Sequence, residues 1–202
     1  TDRLSRYRVT PQAFEQQLQY LWDAGYYSVR WEQWREAMVN RRPLPGRAIA
    51  LTFDDGYQDF FDYAAPLLKK YGFSATVFLV ADQIGGSNRW DQNYQEELPL
   101  MDWQAIRQLL ADGIEFGSHT LSHPLLTTLS PAEIAKEGAR SRAILARELG
   151  VEMRTIAYPY GDHNVVVQHL MGACGYTVGL SCRPGRSHFR DDLLALPRIE
   201  IE

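Results

Sequence analysis

Residues 47–56 read Arg47-Ala48-Ile49-Ala50-Leu51-Thr52-Phe53-Asp54-Asp55-Gly56. The apolar run is bounded by Pro45-Gly46 before it and by Asp-Asp-Gly after it, which predicts a buried strand over 47–53. Phe60, Phe61, Ala64, Leu67 and Leu68 then recur at helical spacing up to Gly72, and 75–80 is a second apolar strand. Strand, helix, strand is the pattern of parallel strands joined by crossover helices.

The same alternation extends in both directions. Upstream, Thr10-Pro11 opens a helix carrying Phe14, Leu18, Leu21 and Trp22, which Gly25 closes. A short strand over 27–29 and a helix over 31–39 lie between it and the 47–53 strand. Downstream, 82–101 carries turn formers without a period and reads as a loop insertion. Asp102 caps a helix through Leu110, and 114–118 is a strand. Ser130-Pro131-Ala132-Glu133 is a capping box that starts a helix ending at Leu149, before Gly150. Strands over 155–158, 176–180 and 194–201 follow, with a helix from Asn164 to near Gly175 inside them. No repeat and no second domain is visible, so residues 1–202 read as one α/β domain.

Composition narrows the function. Hydrophobic residues make up 45% of the 202 and charged residues 23%, which is globular and allows one sizeable core. Net charge is −4, so no basic field points to nucleic acid or to an anionic membrane. Two cysteines, Cys174 and Cys182, exclude a disulfide framework and a four-cysteine zinc site; one bridge is open to them, and two free, mostly buried thiols are expected. No run of about 18 apolar residues is present to span a membrane. The opening Thr1-Asp2-Arg3-Leu4-Ser5-Arg6 has no apolar core, so it is no signal peptide, and the chain is compatible with a fragment of a larger protein.

Three expected strands end in polar clusters: Asp54-Asp55-Gly56, then His119-Thr120-Leu121-Ser122-His123, then Tyr158-Pro159-Tyr160-Gly161-Asp162-His163. Active sites of barrels and open parallel sheets sit past the carboxyl ends of strands. Adjacent residues in extended chain point to opposite sides. One of Asp54 and Asp55 can therefore bind a metal while the other reaches a water or substrate. Alone, this pair also reads as a solvated turn. His119 and His123 are four apart, but position 120 lacks the glutamate of helical zinc peptidases, and Pro124 disfavours helix at His123. The pair is expected on a turn. Either histidine alone is an ordinary core or surface residue. Together with an Asp they make a three-ligand site that leaves positions open for water, with ligand distances of ~2.0–2.2 Å. A divalent ion so held lowers the pKa of water and polarises a carbonyl, and Asp54 is placed to accept the proton. The bend at Tyr158–Gly161 could aim backbone N–H groups at an oxyanion, or be only a tight turn. His163 and His188 are candidate loop acids that read more readily as surface loop histidines. His169 reads as structural or exposed, and Trp90, Trp103 and Tyr57 as sugar-stacking surfaces or core.

With these residues in place, the chain resembles the polysaccharide deacetylases of carbohydrate esterase family four. Thr52-Phe53-Asp54-Asp55-Gly56 is similar to the family's first motif, His119-Thr120-Leu121-Ser122-His123 to its second, and Tyr158-Pro159-Tyr160-Gly161 to the third in exopolysaccharide and poly-N-acetylglucosamine deacetylases. Asp102-Trp103 and Leu196-Pro197-Arg198-Ile199 also resemble that subgroup, and the likeness covers roughly 10–201.

The resemblance implies a distorted, incomplete (β/α) barrel of mostly parallel strands with crossover helices. It implies metal-dependent removal of N-acetyl groups from a polysaccharide of N-acetylglucosamine-like sugars. Asp54 carries over as general base, Asp55, His119 and His123 as ligands of one divalent ion, and the Tyr160 backbone N–H as oxyanion donor. Zinc is expected, with cobalt, nickel or iron as alternatives. By the same resemblance the protein works outside the cytoplasm, in the periplasm or envelope or secreted.

The chain departs from the family pattern at three points. Many family members carry an arginine two residues before the motif-three proline; here that residue is Ala157, so another cation, Arg198, is expected to orient Asp54. The family's late Leu-x-x-His motif, which supplies a catalytic acid, is absent as such and leaves His163 and His188 as candidates. Relatives often begin with a strand carrying Tyr-His ahead of the first helix, and this chain starts after that point. Competing readings are an O-deacetylase of an acetylated glycan, and a catalytically silent carbohydrate-binding domain that keeps the cleft.

Overall fold

The computed structural model describes residues 8–91, 97–188 and 190–201. The opening residues, the middle of the 82–101 insertion and Phe189 lie outside that range. The elements are α1 (Pro11–Asp23), β1 (Tyr26–Ser28), α2 (Trp31–Val39), β2 (Arg47–Ile49), β3 (Thr52–Phe53), a π turn (Phe60–Ala64), α3 (Ala65–Tyr71), β4 (Thr76–Leu79), α4 (Trp103–Ala111), β5 (Glu115–Ser118), α5 (Pro131–Leu149), β6 (Thr155–Ala157), α6 (Val165–Ala173), β7 (Val178–Pro184) and β8 (Leu196–Arg198).

Strands β3 to β8 pair in sequence order and every pair is parallel. The six curl into a half-barrel with helices outside. Side chains alternate across the sheet. Val77 and Leu79 of β4 and Phe116 of β5 face α1, α3, α4 and the end of α5. Ile156 packs against Ile134 of α5 and Met171 of α6. Phe78, Ala157, Leu180 and Leu196 point the other way and close on Trp31 of α2. The bond from the Trp31 amide to Glu115, at the start of β5, holds α2 at the end of the barrel opposite His119.

The inside of the half-barrel has no room at β5. A methyl on Gly117 would lie 2.5 Å from the Phe78 ring and 2.7 Å from Thr155 Oγ1. Gly117→Ala is therefore expected to lower unfolding free energy by about 1–3 kcal/mol, as overpacking does. Urea denaturation should show a lower midpoint at an unchanged slope.

Several elements differ from their sequence reading. The expected single strand over 47–53 changes partner midway. Its first half, β2, pairs with β1 in a separate two-stranded sheet, and its second half, β3, joins β4. The expected helix over 60–72 begins as a π turn, in which the Ala65 amide reaches back to the Phe60 carbonyl. Pro66 follows and has no amide to continue the ordinary ladder from Asp62. The 82–101 insertion is not irregular throughout: Tyr57 bridges Leu100 and Ser87 bridges Pro99, both antiparallel, and Arg89–Asp91 is a 3₁₀ turn. The last strand shrinks to Leu196–Arg198. Between its two contacts with β7, at Leu180 and Pro184, the register shifts, so β7 bulges. No helix among the described residues is long and apolar enough to cross a membrane.

Candidate active site

Asp54 and Asp55 follow β3, His119 follows β5, Tyr158 follows β6, and Arg198 is the last residue of β8. All of them therefore lie at the carboxyl ends of parallel strands. The backbone there is unusual. Among the described residues five non-glycine residues have positive φ, and four belong to these clusters: Asp55 (72°), Thr120 (66°), His123 (63°) and Tyr160 (58°). Such conformations cost of order 1–3 kcal/mol each and persist where surroundings enforce them. Asp55 is therefore not in extended chain, and the expected alternation of Asp54 and Asp55 across a strand does not apply. The turn at Asp55-Gly56 separates the two carboxylates instead.

Asp55, His119 and His123 come together, with one ligand atom from each within 4.8 Å of the others. His119 is 2% exposed and His123 6%. The Ala157 carbonyl can only accept, so His119 Nδ1 donates to it at 2.8 Å and Nε2 keeps its lone pair. That Nε2 lies 3.4 Å from Asp55 Oδ1, and His123 Nε2 lies 3.2 Å from the same oxygen. Asp55 Oδ1 is buried and has no hydrogen-bond donor. Burial pulls His119 below its ordinary pKa against the charge of Asp54, with His123 adding to the depression, which favours the neutral ring a metal needs. An orphaned carboxylate oxygen facing two imidazole nitrogens is a donor set for a divalent cation. The residues fit the ion that the sequence leads one to expect.

Asp54 is held differently. Arg198 donates from its two terminal nitrogens to Oδ1 at 2.8 Å and Oδ2 at 2.6 Å, a bidentate ion pair. Its Nε donates to the Ser181 carbonyl inside the β7 bulge at 3.1 Å. The bulge thus aims the arginine. Burial works to raise the Asp54 carboxyl, but the Arg198 charge, with His119 beyond it, holds it at about 2. The cation missing at position 157 is supplied from β8.

Aromatic rings enclose His123. Trp90 stacks on it at 4.6 Å and 24°, and Tyr160, half exposed, meets it edge-on at 4.7 Å. The other sequence candidates lie elsewhere. Trp103 packs on the core under Arg107, and the Tyr57 hydroxyl accepts from Asn88. His163 stacks on the Tyr158 ring at 4.9 Å and bonds the Gly161 carbonyl, within the motif-three turn. His188 lines a shallow cavity of about 220 Å³ with Trp34, Met38 and Pro43. Neither is brought to the Asp–His cluster. Cys174 and Cys182 are free thiols, but neither is fully buried: Cys174 is half-buried and Cys182, in the second half of β7, is exposed.

Sequence reading missed what holds the His119–His123 turn. Glu137 of α5 accepts the amides of Leu121 and Ser122, both at 2.9 Å, and the Ser122 hydroxyl at 2.8 Å. Ser141, one turn on, bonds Ser118 at 2.6 Å. The signal available was a Glu and a Ser four apart on one helix face, which reads as ordinary helix polarity.

Comparison with known proteins agrees with this geometry. Residues 41–179 match the polysaccharide deacetylase family. The YxkH protein of Bacillus subtilis (strain 168) is 27% identical over 194 residues, 96% of this chain, and the chain spans 66% of that protein's length. The poly-beta-1,6-N-acetyl-D-glucosamine N-deacetylase of Staphylococcus epidermidis is 29% identical over 98% of this chain and 69% of its own. Among solved structures, Streptococcus pyogenes deacetylase PplD in complex with acetate aligns with a TM-score of 0.85 and 31% identity, over 96% of this chain and 81% of that one. A half-barrel with acidic and histidine motifs at its strand ends, matched over 139 residues by the family and nearly end to end by these relatives, places this chain in the polysaccharide deacetylase family.

Proposed function

We propose that the chain is a metal-dependent N-deacetylase of a polysaccharide containing N-acetylglucosamine-like sugars. The observation that carries this reading is the pairing of two differently held carboxylates: Asp55 with His119 and His123, and Asp54 with Arg198. The name of the Staphylococcus epidermidis relative supports an N-acetylglucosamine polymer as substrate.

Asp55, His119 and His123 would hold the ion, zinc in the first place. A divalent ion there supplies Lewis acidity toward the acetamide carbonyl and the attacking water. Asp54, kept ionised and oriented by Arg198, takes the proton from the water as its oxygen bonds to the acetamide carbon. The Tyr160 backbone N–H, at the turn beside His123, is the donor assigned to the developing oxyanion. When the carbon–nitrogen bond breaks, acetate forms and the nitrogen needs one proton, which is the one Asp54 has gained. Exposed Tyr160 offers a face to a sugar ring at the rim. We infer from the same reading that the protein acts outside the cytoplasm.

Arg198→Lys tests the orienting role. A lysine keeps the charge but loses the planar two-point grip. Misplacement of the base by about 1 Å costs on the order of 10²-fold, so kcat should fall by that order with KM little changed. Unchanged kcat would separate Arg198 from the chemistry.

The bond cleaved is tested by product analysis. The metal-loaded chain is offered N-acetylglucosamine oligomers and an O-acetylated xylan in parallel. Free amines with stoichiometric acetate from the first support the reading, and acetate from the xylan alone would replace it with an O-deacetylase. Binding of either glycan without acetate would indicate a silent carbohydrate-binding domain.

A further inference from the structure

The turn that carries both histidines is bonded at every amide. His119 N donates to the Leu79 carbonyl, Thr120 N to Ser118 Oγ, Leu121 N and Ser122 N to Glu137, and His123 N to Thr120 Oγ1. All of these acceptors except Glu137 come from the turn itself, from β5 or from β4 beside it. Glu137 comes from α5, is 8% exposed, and takes three bonds with its two oxygens. A buried carboxylate costs free energy unless hydrogen-bonded, so three donors on one Glu are a committed arrangement. What it secures is a left-handed His123 at φ 63°, whose Nε2 must meet Asp55 alongside His119.

We propose that Glu137 is a positioning residue for the metal centre: its carboxylate clamps the 119–123 turn so that His123 completes the ligand set. The inference rests on the reading of Asp55, His119 and His123 as ligands. It concerns reach rather than charge. In Glu137→Gln the amide oxygen can take both backbone N–H groups, and its NH₂ can donate to Ser122 Oγ. Glu137→Asp keeps the charge but withdraws the carboxylate by one methylene.

The test is Zn²⁺ titration of metal-free full chains by calorimetry, repeated with Co²⁺ to read its visible absorption band. Partners that orient metal ligands are worth about 10–100-fold in affinity. Glu137→Asp is expected to weaken Zn²⁺ binding by about 10-fold or more and to alter the Co²⁺ band. Glu137→Gln should stay within about threefold of the unaltered chain, well inside that range. Ser130→Ala is the stability control, because Ser130 caps the N-terminus of the same helix and makes no bond to the 119–123 turn. It should lower the melting temperature without moving Zn²⁺ affinity. The proposal is overturned if Glu137→Asp binds as the unaltered chain does, if Glu137→Gln is the weaker of the two, or if Ser130→Ala weakens binding as much. An unaltered chain whose Zn²⁺ affinity does not depend on His119 and His123 overturns the ligand assignment instead, a separate result read from separate variants.

Discussion

Asp54→Asn is expected to cut acetate release by on the order of 10²–10⁴-fold, the range that a positioned general base contributes. Zn²⁺ affinity should stay within about threefold, because the Asp54 oxygens are occupied by Arg198 rather than by the His119–His123 pair. Asparagine keeps the shape and leaves one oxygen for the guanidinium, so the variant should fold. What it loses is the capacity to take a proton. Acetate assays beside calorimetric Zn²⁺ titration separate the two functions. Loss of both activity and affinity would move Asp54 into the ligand set.

Removal of either imidazole carries the second large effect. Catalytic zinc is held by three protein ligands, and His119→Ala or His123→Ala leaves two. Acetate release should fall to background in both variants. A ligand that binds only the folded state stabilises it by about 2.7 kcal/mol at 100 times its dissociation constant. The unaltered chain should therefore melt higher with Zn²⁺ present, and neither variant should show that shift. A shift that survives both substitutions would place the ion elsewhere. The metal-free variants should themselves melt lower than the metal-free original, because each opens a cavity at a buried site and His119→Ala leaves the Ala157 carbonyl unpaired, so the reading is the Zn²⁺-dependent shift within each variant.

Much of this architecture was legible in the chain. The apolar run at 75–80 is buried on both faces of a parallel sheet, as its pattern suggests, and the shorter expected strands at 114–118 and 155–158 lie beside it. The capping box at Ser130 and the stop at Gly150 bracket α5 in the structure too. The split of 47–53 was not legible, because a change of strand partner leaves no mark on hydrophobic pattern. The π turn at Phe60–Ala64 was also hidden, although Pro66 was there to suggest it.

The site divides in the same way. Local motifs bring Asp54, Asp55, His119 and His123 to strand ends, where short-range spacing suffices. Arg198 lies 144 residues from Asp54, and what hinted at it was the absence of an arginine at Ala157 together with the likeness of Leu196-Pro197-Arg198-Ile199 to the subgroup. The β7 bulge that aims it depends on strand register, which a single sequence does not specify. Glu137 lies on a helix whose polar face looks solvent-directed until the turn is docked against it. His163 and His188 were candidates by residue type alone, and the fold carries them to Tyr158 and to the α2 cavity.

The most direct test of the metal-dependent deacetylase reading is acetate release from N-acetylglucosamine oligomers by metal-stripped chain as Zn²⁺ is added stepwise. Release should be absent without metal, rise with added ion, and level off at one equivalent per chain. Full release by the stripped chain, or none at any Zn²⁺ level on any acetylated glycan, would contradict it.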